Sequence, residues 1–210
     1  MPRTARSVKA GWCYHVMNRA NNKARIFHLP AEYLSFLGLM VEAQMRLRLD
    51  LLAACLMPNH FHLVVRPSSD RDLSRWMHWL LTTHVRRAHG RDDSVGRIWQ
   101  GRFKAFPIQQ DGHLLAVMRY VERNALRARL VDLAESWPWG SLAWRTGRFP
   151  GLALAEAPVV LPRSWTRYVN APQTAAELDA IRRCASHEQA FGSEDWLDSV
   201  ARDPGSDTPS

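Results

Sequence analysis

The chain has 210 residues, 46% hydrophobic and 23% charged, a composition that excludes global disorder and supplies core for one domain. No apolar run approaches the roughly 18 residues of a membrane span, and the three cysteines, odd in number and without a CxxC pair, support neither a disulfide framework nor a zinc knuckle. Net charge is +8 and uneven: residues 1–169 hold 25 Lys and Arg against 12 Asp and Glu, residues 170–210 hold 3 against 8. A basic body with an acidic tail points to a polyanionic partner, most simply nucleic acid, although a soluble enzyme that happens to be basic has the same balance. The first residues carry charge with no apolar stretch behind them, so no secretory signal and a cytoplasmic location are expected.

Trp12 to Asn18 is rich in aromatic and β-branched residues and reads as a strand. A polar loop to Arg25 follows. Pro30 then opens a helical pattern with Tyr33, Leu34, Leu37, Met40, Val41 and Met45 at helical spacing. Two short apolar runs, Leu51 to Met57 and His60 to Arg66, flank the turn signal Pro58-Asn59 and predict a hairpin. Helical spacing returns over 71–89. After a polar loop from Gly90 to Gly96, the stretch from Arg97 to Gln110 reads as extended and Gly112 to Leu130 as helical. The order β-α-β-β-α-β-α predicts an α+β fold: a ferredoxin-like antiparallel sheet with helices on one face and the other face open to water. From about Ser136 the composition shifts to Trp, Pro and Gly. The expected organisation is a body over 1–145, a C-terminal appendage over 146–201 and a disordered tail over 202–210.

Three groups of residues carry candidate chemistry. On a strand, His60 and His62 project from one face while Phe61, Leu63 and Val65 point to the core, and two imidazoles at that spacing can share a divalent cation. Two unrelated strand histidines fit the same pattern. Tyr120, Asn124 and Arg127 line one stripe of the last body helix, with Arg119, Arg123 and Arg129 around them; a tyrosine in a positive surround near a metal can attack phosphorus. An amphipathic tyrosine at a helix edge fits equally. In Trp99-Gln100-Gly101-Arg102-Phe103-Lys104, aromatics alternate with cations, which suits stacking on bases and pairing with phosphates as well as a solvated sheet edge. His84 falls on an apolar helix face and is expected in the core, as are Trp76 and Trp79.

Tyr14 to Arg19, Met57 to Val65, Trp99 to Lys104 and Tyr120 to Asn124, in that order and spacing, resemble the REP-associated tyrosine transposases, within the single-tyrosine HUH transposases of insertion sequences. The resemblance covers about residues 12–145, and Ala190 to Trp196 is similar to the family's tail. It implies that His60 and His62 hold Mg²⁺ or Mn²⁺, that Asn124 completes the metal site, and that Tyr120 attacks single-stranded hairpin DNA to give a 5′-phosphotyrosine. Arg19, Arg97, Arg102, Lys104, Arg123 and Arg127 are then the candidate DNA contacts, and the stretch after about Asn170 a cover over the site. The family often carries Pro after the Asn and Gly a few residues on; Ala125 and Arg129 stand there here, which favours a helix continuing to Leu130. Val64 argues against a histidine-triad hydrolase, which needs a third His there. A non-cutting hairpin DNA or RNA binder on the same fold, and a HUH replication initiator or relaxase, are the alternatives. Monomer and dimer are both open, and no membrane partner is expected.

Overall fold

The computed structural model describes residues 8–92 and 95–202. The Pro58-Asn59 turn closes the hairpin of β2 (Leu49–Met57) and β3 (His60–Pro67), with Met57 opposite His60. β1 (Cys13–Arg19) pairs antiparallel with β3 on one side and with β4 (Lys104–Ile108) on the other, giving the order β2-β3-β1-β4. The crossovers are α1 (Pro30–Arg46) and α2 (Asp72–Asp92). This is the ferredoxin-like α+β arrangement that the element order predicts.

α1 and α2 share one face of the sheet, as expected. Phe36, Leu39 and Met40 of α1 and Leu73, Trp76 and Met77 of α2 bury against Val16, Phe61, Leu63 and Val65. His84 joins that core against Phe36 and Trp99, in line with the sequence reading. The opposite face is not open to water. α3 (Gly112–Glu122) lies across it, packing Leu114, Val117, Met118 and Val121 on Cys13, Cys55, Val64 and Phe106. β2 is therefore buried on both sides. An irregularity between Leu51 and Ala53 lets Leu51, Ala54 and Leu56 face α1 and α2 while Ala53, Cys55 and Met57 face α3.

Some element boundaries differ from the sequence reading. α2 runs through Gly90 to Asp92, because one glycine costs a helix only about 1 kcal/mol. Of the extended stretch 97–110, only Lys104–Ile108 is a strand; Trp99 makes a single bridge to Ala20. The last body helix does not continue to Leu130. α3 stops at Glu122, one further turn, α4 (Asn124–Arg127), follows, and Arg129 takes a left-handed φ of 57° that ends the helix. The position has the conformation that suits glycine, although arginine occupies it.

The segment beyond α5 (Ser141–Arg145) packs into the body. Leu152 enters the core under α1 and α2. Trp165 and Val169 of α6 (Trp165–Asn170) and Ile181 and Ala185 of α7 (Ala175–His187) enter the core under α3. The segment also covers both sheet edges. Trp139 and Ala155 bond to the backbone of β2, and Phe191 exchanges two backbone hydrogen bonds with Pro107 and Gln109 at β4. Pro107 is tolerated because β4 is an edge strand. α8 (Glu194–Arg202) follows, with Trp196 against Trp12. The expected disordered tail lies, apart from Arg202, outside the described residues.

Candidate active site

The β1–β3 register places Met17 opposite His62, so His15, two residues earlier on β1, reaches the same face. Three imidazoles meet there. His60 and His62 have ring centroids 5.0 Å apart, and His15 Nε2 lies 2.9 Å from His62 Nδ1. His60 Nδ1 lies 2.7 Å from Asn59 Oδ1. From α3, Tyr120 brings its ring to 5.8 Å from that of His62 and 6.0 Å from that of His15, edge-on to both. The structure thus brings His60, His62 and Tyr120 together, and it does so in a nearly closed site: His62 is 3% exposed and Tyr120 6%. His15 and Asn59 are neighbours that the sequence reading did not single out. Strand parity alone could not find His15, because its face relative to His62 depends on a register between strands 47 residues apart.

Burial sets the protonation state of the cluster. It lowers His15 to about 3, with Arg127 adding to the effect, and lowers His60 to about 4, helped by Arg19 and Arg127. His62 is held well below its ordinary value by burial and by its two neighbouring imidazoles. All three are neutral near pH 7 and offer lone pairs rather than charge. Two cations, Arg19 and Arg127, act on the cluster, and Arg127 is the one on Tyr120. Its guanidinium sits 4.0 Å above the Tyr120 ring, a cation–π geometry, and donates to the Tyr120 carbonyl oxygen at 3.4 Å.

Among the described residues, no group of three or more His, Cys, Asp or Glu is arranged to hold a metal. The structure brings together two neutral imidazoles with Nδ1 already engaged; the third donor expected from the sequence is the Asn124 amide. Asn124, one turn after Tyr120 and 5% exposed, has a buried Nδ2 with no hydrogen-bond partner, so the amide is not committed elsewhere through that nitrogen. Imidazole nitrogen with amide oxygen fits a divalent cation whose remaining positions go to water or phosphate.

A cleft of about 940 Å³ opens beside Tyr120, between the β1–β4 side of the sheet and α7. Arg19, Arg102, Lys104 and Arg182 line it, with Glu188 as the acidic member. Tyr120 lines this cleft and also touches the imidazole cluster. Of the six candidate DNA contacts, Arg19, Arg102 and Lys104 line the cleft, and Arg127 stands over Tyr120. Arg97 is exposed but does not line the cleft. Arg123 is not a free surface cation: it donates to the carbonyl oxygens of Val169 and Asn170, as Arg119 does to those of Ala171 and Pro172. Both tie α3 to the chain leading into α7. Trp99 and Phe103 are not free to stack on bases either. They are 6% and 5% exposed and belong to the core under α1 and α2, leaving Arg102 between them at the cleft. Arg182 was missed because it sits in a net-negative stretch; only the packing of α7 brings it to the cleft.

The sequence model of the family described as IS200-like transposases matches residues 9–124. A search of curated protein sequences found no match. Among solved structures, a REP-associated tyrosine transposase bound to a REP hairpin aligns over 76% of this chain and 95% of its own, with a TM-score of 0.59 and 18% identity. A putative transposase from Deinococcus radiodurans aligns over 58% of this chain and 96% of its own, with a TM-score of 0.41 and 13% identity.

Proposed function

Because this chain belongs to the IS200-like transposase family, we propose that it nicks and rejoins single-stranded hairpin DNA, of the REP-like palindromic kind, through a 5′-phosphotyrosine at Tyr120. The observation that carries the reading is the position of Tyr120: its ring lies edge-on to His62, beneath Arg127, at the wall of a basic cleft. The neighbour of the same fold that is bound to a REP hairpin supports the substrate class.

In this reading a strand lies in the cleft with its phosphates against Arg19, Arg102, Lys104 and Arg182, which act as positioning contacts. Tyr120 Oη forms a bond to phosphorus, the P–O3′ bond breaks, and the proton given up by the phenol is balanced by one gained at the 3′ oxygen. The phosphotyrosine keeps the bond energy, so the reverse attack by a 3′-OH rejoins the strand. Arg127 meets negative charge as it develops at the phenol oxygen and phosphate. His60, His62 and Asn124 would hold Mg²⁺ or Mn²⁺. When bound, such an ion polarises the scissile phosphate and offsets charge on its oxygens. Buried neutral imidazoles keep that site free of a competing proton.

The test is covalency. Incubation with hairpin DNA and Mg²⁺ should give a protein–DNA adduct that survives SDS. Tyr120→Phe should fold and bind DNA without forming it, and His60→Ala should lose it as well. No adduct from the wild-type protein would overturn the reading in favour of a non-cutting binder on the same fold. An adduct from Tyr120→Phe would move the nucleophile to another tyrosine.

A further inference from the structure

The turn between β2 and β3 does more than reverse the chain. Asn59 Nδ2 donates to the Lys23 carbonyl oxygen at 3.0 Å, and its Oδ1 faces His60 Nδ1 at 2.7 Å. A main-chain carbonyl can only accept, so this bond fixes which end of the Asn59 amide is nitrogen. Oδ1 must then be the atom beside His60, and it too can only accept. The proton of neutral His60 is therefore on Nδ1, which leaves Nε2 as a bare lone pair.

We infer that Asn59 is a positioning residue that sets the tautomer of His60, and that Lys23 and the loop carrying it are the fixed point of the arrangement. The inference rests on the proposed function in one respect, that the bare Nε2 serves a divalent cation. In that loop Asn22 and Lys23 both take left-handed φ, 52° and 56°, and the Lys23 carbonyl meets Asn59. Asn59 itself is not among the described residues with positive φ, so its backbone does not require Asn, and the amide is the reason for the residue. His15 holds Nδ1 of His62 in the corresponding place, with the rings meeting edge to edge. An imidazole has no fixed donor sense, so the unambiguous assignment is at His60. A ligand imidazole whose far nitrogen is anchored in this way loses about 10–100-fold in metal affinity when the anchor is removed.

The experiment is ¹⁵N NMR of histidine-labelled protein, wild type, Asn59→Ala and Asn59→Asp, followed by Mn²⁺ titration of each without DNA. Wild-type His60 should show the Nδ1–H pattern. Asn59→Ala should mix or invert the tautomer and weaken Mn²⁺ about 10–100-fold. Asn59→Asp gives up the bond to the Lys23 carbonyl but keeps an acceptor beside Nδ1 and should restore the Nδ1–H tautomer relative to Ala, a rescue that a merely structural role for the turn does not give. Nε2–H in the wild type overturns the inference, and so does an Ala variant with unchanged tautomer and affinity. If the Ala variant does not fold, the wild-type tautomer and the Asp variant still decide. A tautomer that shifts as stated in protein that binds no Mn²⁺ supports the role of Asn59 and overturns the metal part of the proposed function instead.

Discussion

Arg127 is the residue on which the surroundings of Tyr120, the proposed nucleophile, turn. It is one of the candidate DNA contacts, yet its guanidinium lies on the Tyr120 ring rather than out in solvent. Arg127→Gln removes the charge and the stack together. The charge that meets the developing phenolate and phosphate is then missing, so single-turnover adduct formation should slow by about 10²–10³-fold with binding of hairpin DNA little changed. A variant that reacts at the wild-type rate would show that the arginine only packs. Glu122, two residues after Tyr120, has a different task. It is fully buried and accepts from Ser141 Oγ at 2.6 Å, Trp165 Nε1 at 2.6 Å and Arg145 Nε at 2.8 Å. It thereby pins α3 to α5 and α6. Glu122→Ala leaves the Arg145 charge without its partner and should cost roughly 3–5 kcal/mol in denaturant melts. A loss under about 1 kcal/mol would show that the three donors find other acceptors.

At the scale of elements, α7 is the unexpected contributor. Residues 170–210 are net negative, and the sequence reading assigns DNA binding to the basic body. The structure adds α7 as a wall of the cleft that the basic body lines: Arg182 faces it, and Lys104 Nζ donates to the Ser186 carbonyl oxygen at 2.8 Å across its edge. Arg182 also pairs with Asp179 at 3.5 Å, a half-exposed contact worth little. Arg182→Gln should therefore weaken hairpin DNA uniformly across sequences and lower the slope of log affinity against log salt by about 0.7–0.9, one phosphate contact. Titrations at several salt concentrations read this directly, and an unchanged slope would remove Arg182 from the interface.

For the whole molecule, burial of so many titratable groups fixes the pH range of stability. Burial holds His15 near 3, His60 near 4 and His62 well below the ordinary 6.5. The unfolded chain therefore takes up protons as pH falls below 6.5 while the folded chain does not, and stability is lost progressively toward pH 4. On the alkaline side burial raises Cys13 and Cys55 from 9.0 to about 12, and Tyr14 and Tyr33 from 10.0 to about 12. There the unfolded chain gives up protons first, and stability falls as pH rises above 9. The expected profile is a plateau between about pH 6.5 and 9 with losses on both sides, each kcal/mol lowering the melting temperature by about 2–4 °C. A melting temperature still rising as pH falls from 6.5 to 5 would show that the imidazoles are not buried neutral.

The sequence by itself determined the sheet, the family and the candidate groups His60, His62 and Tyr120 that the structure brings together. Alternation through His60-Phe61-His62 put the imidazoles on one face, the turn at Pro58-Asn59 closed the hairpin, and the spacing of four short motifs carried the family. These are local signals, set by the strand period and by turn chemistry. Tertiary structure decided what shares that face. His15 joins His62 only through the β1–β3 register, and Arg182 reaches the cleft only because α7 docks beside β4. Trp99 and Phe103 turn inward because the face under α1 and α2 needs large apolar side chains, whereas their spacing reads equally as a stacking surface. Arg119 and Arg123 are taken up by carbonyl oxygens of a segment some 50 residues away. Cations look alike in a sequence; whether one meets solvent, a ring or a carbonyl oxygen depends on contacts between distant segments, which local pattern does not encode.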